Sequence, residues 1–169
     1  MRSTALARIA VGVVVERRKA RSTWVDFLWR PVSVFVGKAS AAPWTPLGTE
    51  AEATLFYAGE ALVELHRTET LGYRNNLASG APALWVIMRP TANVPPYELV
   101  TVTADPAEGE AFTDAGHNLV ETVPMPPDVL AAVADFIAEH HTERPFLKRR
   151  RKASQPVLAL RRNGQEDKS

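Results

Sequence analysis

The sequence predicts an α+β domain: a mainly antiparallel sheet of six to seven short strands, strongly curved or forming a partial barrel, with a C-terminal helix packed on it. Three observations lead there. Apolar runs of strand length, rich in Val, Ile and aromatic residues, recur between turn residues. The connections between them are mostly too short for parallel crossovers. A sustained helical period occurs only late, after Pro126-Pro127-Asp128.

The elements follow in order. Ile9–Val15 is almost wholly apolar, as expected of a strand near the sheet centre or covered on both faces. Lys19–Arg30 reads as a loop carrying Trp24, Phe27 and Trp29. These aromatics either lid the core or offer a stacking surface for a ring. Val32–Val36 is a second strand. The Pro-, Ala- and Gly-rich stretch from Gly37 to Glu52 reads as a surface loop pinned by Trp44. Thr54–Tyr57 and Ala61–His66 read as two strands of a hairpin turning at Ala58-Gly59-Glu60. In the second, Val63 and Leu65 share one face and Leu62, Glu64 and His66 the other.

Thr68 is placed to cap a short helix that carries Leu71, Arg74 and Leu77 and stops at Ser79-Gly80. Leu84–Met88 and Leu99–Val102, joined by a loop with Asn93 and Pro95-Pro96, form the expected central hairpin. Asp105 to Glu110 reads as an acidic turn, and Leu119–Val123 as a further strand. The late helix opens at Pro126-Pro127-Asp128 and presents Val129, Val133, Phe136, Ile137 and His140 on one side. Arg144-Pro145 ends it. Residues 8–147 thus form one globular domain, and 148–169 a basic, flexible tail.

Composition narrows the function. The chain has 169 residues, 46% hydrophobic and 23% charged, which is a globular composition. It has no cysteine, so disulfides, thiolate metal sites, iron–sulfur clusters and a nucleophilic thiol are excluded. No apolar run reaches the roughly 18 residues of a membrane span. The N-terminal apolar run ends in Glu16-Arg17-Arg18-Lys19 without a cleavage site, so it reads as a strand, not a signal peptide. A cytoplasmic protein is expected.

The net charge of +1 conceals a segregation. Residues 1–21 carry six basic side chains and one acid, 55–142 three basic and twelve acidic, and 143–169 nine basic and three acidic. The five consecutive cations Lys148, Arg149, Arg150, Arg151 and Lys152 form the strongest charge signal. They can neutralise phosphates or dock an acidic protein surface.

Other constellations are thinner. Asp105, Glu108 and Glu110 offer oxygen ligands without the spacing of a calcium loop, so no metal is assigned. Glu64 and His66 can pair as acid and base on one strand face; a solvated face explains them as well. His140 and His141 lie about 100° apart on a helix, and no ligand spacing joins them to His117. Phosphate-cradling Gly-rich loops and the G-x-S-x-G elbow are missing, and no catalytic residue or cofactor is assigned.

A set of stretches bears a likeness to known proteins. They are Val11-Gly-Val-Val-Val-Glu16, Trp24 through Pro31, Leu65-His-Arg67 on to Gly80, Leu84-Trp-Val86 with Arg89-Pro90, Pro95 through Glu110, Val123-Pro-Met-Pro126, and Glu139 through Phe146. Across roughly residues 8–150 they resemble a proteobacterial family of unknown function. Its members are often encoded beside formate dehydrogenase and sometimes labelled molybdopterin-guanine dinucleotide biosynthesis protein A. The residues do not support that nucleotidyltransferase label, because its Gly-rich nucleotide loop is lacking here. The resemblance therefore implies a non-enzymatic accessory or assembly adaptor for a molybdenum-dependent formate dehydrogenase. Its expected partners are that enzyme or its maturation factors. The alternatives are a nucleic-acid-binding module using the basic tail, and a small-ligand-binding protein or enzyme using Glu64 and His66.

Overall fold

The computed structural model describes residues 5–37 and 39–141. Lys148–Lys152 and the tail lie outside the described residues, as does the expected helix stop at Arg144-Pro145. The fold is mixed α+β with seven strands, all paired antiparallel, as the short connections require. The strands divide between two sheets and are not closed into a barrel. The first sheet has the order β2-β1-β4-β3, from β1 (Ala7–Lys19), β2 (Phe27–Val36), β3 (Thr45–Glu50) and β4 (Ala53–Leu65). The second has the order β6-β5-β7, from β5 (Ala83–Pro90), β6 (Tyr97–Thr103) and β7 (Leu119–Pro124). Strand β4 draws alongside β6, and β2 alongside β7, without ladder hydrogen bonds across either seam among the described residues.

Strand β1 lies between β2 and β4, and Val11, Val13 and Val15 are wholly buried there. Leu84, Val86, Met88 and Val102 face them from the second sheet. Helix α1 (Thr70–Leu77) contributes Tyr73, and helix α3 (Pro127–His140) contributes Val129, Val133 and Phe136 to the same core. Burial of each such aliphatic side chain supplies about 1.5–3 kcal/mol. The central hairpin is present as β5 and β6, in the register Val86↔Val102. His141, just past α3, ties that helix to α1. Arg74 of α1 has only hydrogens to offer, so Nε2 of His141 accepts at 2.9 Å, and Nδ1 lies 2.8 Å from Thr70 Oγ1. No helix among the described residues is long and apolar enough to cross a membrane.

Local readings are corrected in five places. Thr54–Tyr57 and Ala61–His66 are not a hairpin but parts of β4, which pairs along β1 from Ala53 to Leu65. Ala58 is the extra residue of a β-bulge, since Val13 pairs with Gly59 and Val14 with Tyr57. Gly59 takes the φ of +136° that the bulge demands. The Gly37–Glu52 loop contains β3, an edge strand that tolerates Pro46 because edge amides need no partner. Strands β1 and β2 extend into Lys19–Arg30, leaving only residues 20–26 as the connection. The acidic turn is the start of helix α2 (Pro106–Asp114), where Asp105 caps by accepting from the Ala107 amide and Pro106 opens the first turn. Helix α1 likewise starts at Thr70 after a turn of 3-10 helix, Arg67–Glu69, not at a Thr68 cap.

Candidate functional site

A concavity with an aromatic lining opens where the β1–β2 hairpin meets the β5–β6 loop. Strand periodicity builds its floor. Arg17 of β1 pairs with Trp29 of β2 and with Thr54 of β4, so the three side chains stand in one row on one face. Two residues from Trp29 along the strand, Phe27 joins that face. The ring centroid of Trp29 lies 5.7 Å from Phe56, 5.9 Å from Trp44, 6.5 Å from Phe27 and 6.5 Å from Tyr97. The last contact links the first sheet to the second. The guanidinium of Arg17 sits 4.4 Å from the Phe27 centroid, 5.2 Å from Phe56 and 5.9 Å from Trp29. Stacking of this kind contributes about 0.5–2 kcal/mol per cation.

Trp44 is held there against a local preference. Its φ of 67° is left-handed, at a cost on the order of 1–2 kcal/mol for a residue with a Cβ. In that conformation its indole meets Trp29 nearly edge-on, at 89° between planes, and also reaches Phe56. The other wall is Asn93, Val94, Pro95 and Pro96, with a cis peptide between Val94 and Pro95. The groove between them has a volume of about 570 Å³. Apolar side chains on and beside it face water: Val94 is 95% exposed, Val25 and Phe27 are also exposed, and Trp24, next to Val25 in the chain, is 90% exposed.

Phe27, Trp29 and Trp44 are thus groove walls, whereas Trp24 stands clear of the core in the β1–β2 connection. Arg17, Phe56 and Val94 were not singled out by sequence reasoning, and Pro95-Pro96 only as part of the loop joining the central hairpin. The Pro95-Pro96 pair was the only local hint of a rigid rim.

A second, smaller cavity of about 180 Å³ lies at the β4–β6 seam, and it is polar. It brings Glu64 and His66 together with Thr103 and Glu108. His66 Nε2 is 3.5 Å from Glu64 Oε1, Arg8 approaches Glu64 at 3.8 Å, and Thr103 donates to Glu108 at 2.6 Å. Glu110 is exposed and lies about 200° around α2 from Glu108, so the three acids of the sequence reading do not converge. Among the described residues no group of three or more His, Asp or Glu side chains is arranged to hold a metal ion.

Behind this cavity, burial raises the Asp105 carboxyl above the usual 3.8. The Ala107 amide opposes the shift, while a hydrogen bond with Glu69 and the charges of Glu69 and Glu108 add to it. The Tyr73 hydroxyl is pushed up to about 12, mainly by burial, although it accepts from the His66 amide at 2.9 Å.

The sign for Asp105 follows from linkage. A carboxyl raised in the folded state contributes stability fully present below about pH 3.8, and loses it as pH rises through the folded value. Asp105→Asn keeps the oxygen that caps α2 and removes the charge. At pH 7 it should raise stability, with the advantage shrinking toward pH 4. Urea melts at the two pH values measure it; an advantage equal at both would contradict this account.

One family model, described as "Protein of unknown function (DUF3305)", matches residues 10–151. The chain belongs to this family. The DUF3305 match starts inside β1 and runs past α3, and so includes both walls of the groove and the seam cavity. No curated protein and no solved structure matches the chain.

Proposed function

We propose that this chain is a non-enzymatic accessory protein, an assembly adaptor that acts by docking and seats its partner on the aromatic groove. The observation carrying the proposal is that exposed Val25, Phe27 and Val94 line one concave, Trp-walled surface, with exposed Trp24 next to Val25 in the chain. Aromatic residues gathered with Arg are the composition of interface anchors, and apolar patches of this kind mark interaction sites. The resemblance described above supports a molybdenum-dependent formate dehydrogenase, or its maturation factors, as the partner.

Co-purification with the tagged full chain tests the reading. Formate dehydrogenase subunits or their maturation factors should be recovered, and Trp24→Ala, which removes a side chain outside the core, should lower recovery by about tenfold. Loss of the gene with formate dehydrogenase activity unchanged would overturn that partner. Recovery untouched by Trp24→Ala and by Trp44→Ala would move docking away from the groove.

The seam cavity favours a second reading, a small polar ligand held by Glu64, His66 and Glu108. Its volume suits only a ligand of a few heavy atoms.

A further inference from the structure

We infer that the groove takes an extended, acidic segment of the partner protein, with a proline or aliphatic side chain against Trp29 and Trp44 and a carboxylate on Arg17. This rests on the docking reading above and specifies the chemistry of what docks.

Charge decides the chemistry. Residues 16–30 hold five cations (Arg17, Arg18, Lys19, Arg21, Arg30) and two acids (Glu16, Asp26). Arg18 and Arg30 share Glu16, at 3.1 and 3.7 Å. Among the described residues Arg17 has no carboxylate within 4 Å; it lies against three rings and the Thr54 hydroxyl at 3.5 Å. A guanidinium carries five N–H donors in a planar fork suited to a carboxylate. Held among three aromatic rings at the groove wall, it is preorganised for one, and so loses little entropy on pairing. Asp26, also on the lining, disfavours a carboxylate on its own side and so helps set the direction of the segment.

The rest of the surface reinforces the choice. The body between residues 55 and 142 carries twelve acids against three cations, so an acidic segment is repelled there and attracted to the hairpin. An extended backbone fits because aromatic-walled grooves accept proline-bearing segments whose conformation is already extended.

The test uses the full chain with 15N-labelled tryptophan. Three acetylated and amidated peptides of one design, two prolines around a leucine, carry flanking glutamates, glutamines or lysines. The glutamate peptide should shift the indole signals of Trp29 and Trp44, leave Trp85 unmoved, and bind about tenfold more tightly than the glutamine peptide, which should exceed the lysine one. Arg17→Gln should erase the difference between glutamate and glutamine. Val94→Glu, on a rim position open to water, should weaken the glutamate peptide without endangering the fold.

Equal affinity for the three peptides, or shifts confined to Trp85, would overturn the inference. So would benzoate reproducing the shifts as tightly as the glutamate peptide, which would mark a small-molecule pocket. Partner recovery that still depends on Trp24, with no peptide moving an indole, would overturn this inference alone and leave the docking reading standing.

Discussion

Asn76→Ala should cost about 3–4 kcal/mol, the largest loss expected from a single polar side chain in this fold. Asn76 is 4% exposed in the last turn of α1. Its amide nitrogen donates to the carbonyls of Ala83 at 2.8 Å and Ala104 at 3.0 Å, and its oxygen accepts from the Ala83 amide at 3.0 Å. One side chain thereby satisfies the start of β5 and the chain just beyond β6. Removing it leaves three main-chain groups without partners in a region water reaches poorly, at about 1–3 kcal/mol each before relaxation. The urea midpoint should fall accordingly with the m-value unchanged. Asn76→Asp should be no milder, because it replaces the donating nitrogen by a second acceptor. A loss below about 1 kcal/mol in both variants would show that water takes over these bonds.

Gly109→Val should cost about 2–3 kcal/mol by driving α2 off the second sheet. A Cβ built on Gly109 would overlap Cγ and Cδ1 of Trp85 and lie 2.9 Å from its Cβ. The last atom moves only with the backbone, so a rotamer change of Trp85 cannot clear the space. Glycine in a helix interior ordinarily costs about 1 kcal/mol against alanine, so Gly109→Ala should show the steric loss partly offset by that gain. Pairing Gly109→Ala with Trp85→Ala should be less than additive, since the second change removes Cγ and Cδ1 and leaves only the 2.9 Å contact with Cβ. Urea melts of the four proteins give the coupling; strict additivity would mean that α2 does not rest on Trp85.

What could be read from the chain depended on whether each element's signal was local. β1 shows itself because a central strand is apolar on both faces, and α3 because Val129, Val133 and Phe136 recur at helical spacing. The β4 bulge did not, because Ala58-Gly59-Glu60 has turn composition, and only the thirteen-residue partner β1 reveals one continuous strand. Helix α2 carried its start signals, Asp105, Pro106 and Glu108, but Gly109 reads as a turn until Trp85 is seen against it. Glu64 and His66 were placed correctly on one face, and their neighbour Glu108 comes from forty residues onward by way of the second sheet. The groove was least legible of all. Its walls come from residues 17, 25–27, 29, 44, 56 and 93–96, and no window of sequence contains them together.

The division into two sheets has a consequence for when that groove exists. The first sheet is made from residues 7–65 and the second from 83–124, so each is a contiguous length of chain. Either sheet can pair its strands from its own segment, but the Val94–Pro96 wall reaches Trp29 and Trp44 only after the second half has joined the first. Any occupant of the groove therefore binds the joined state and not the separate halves, and by mass action shifts the balance toward completed assembly. Occupancy of the groove is in that sense a proofreading signal, available only to a chain whose two halves have met.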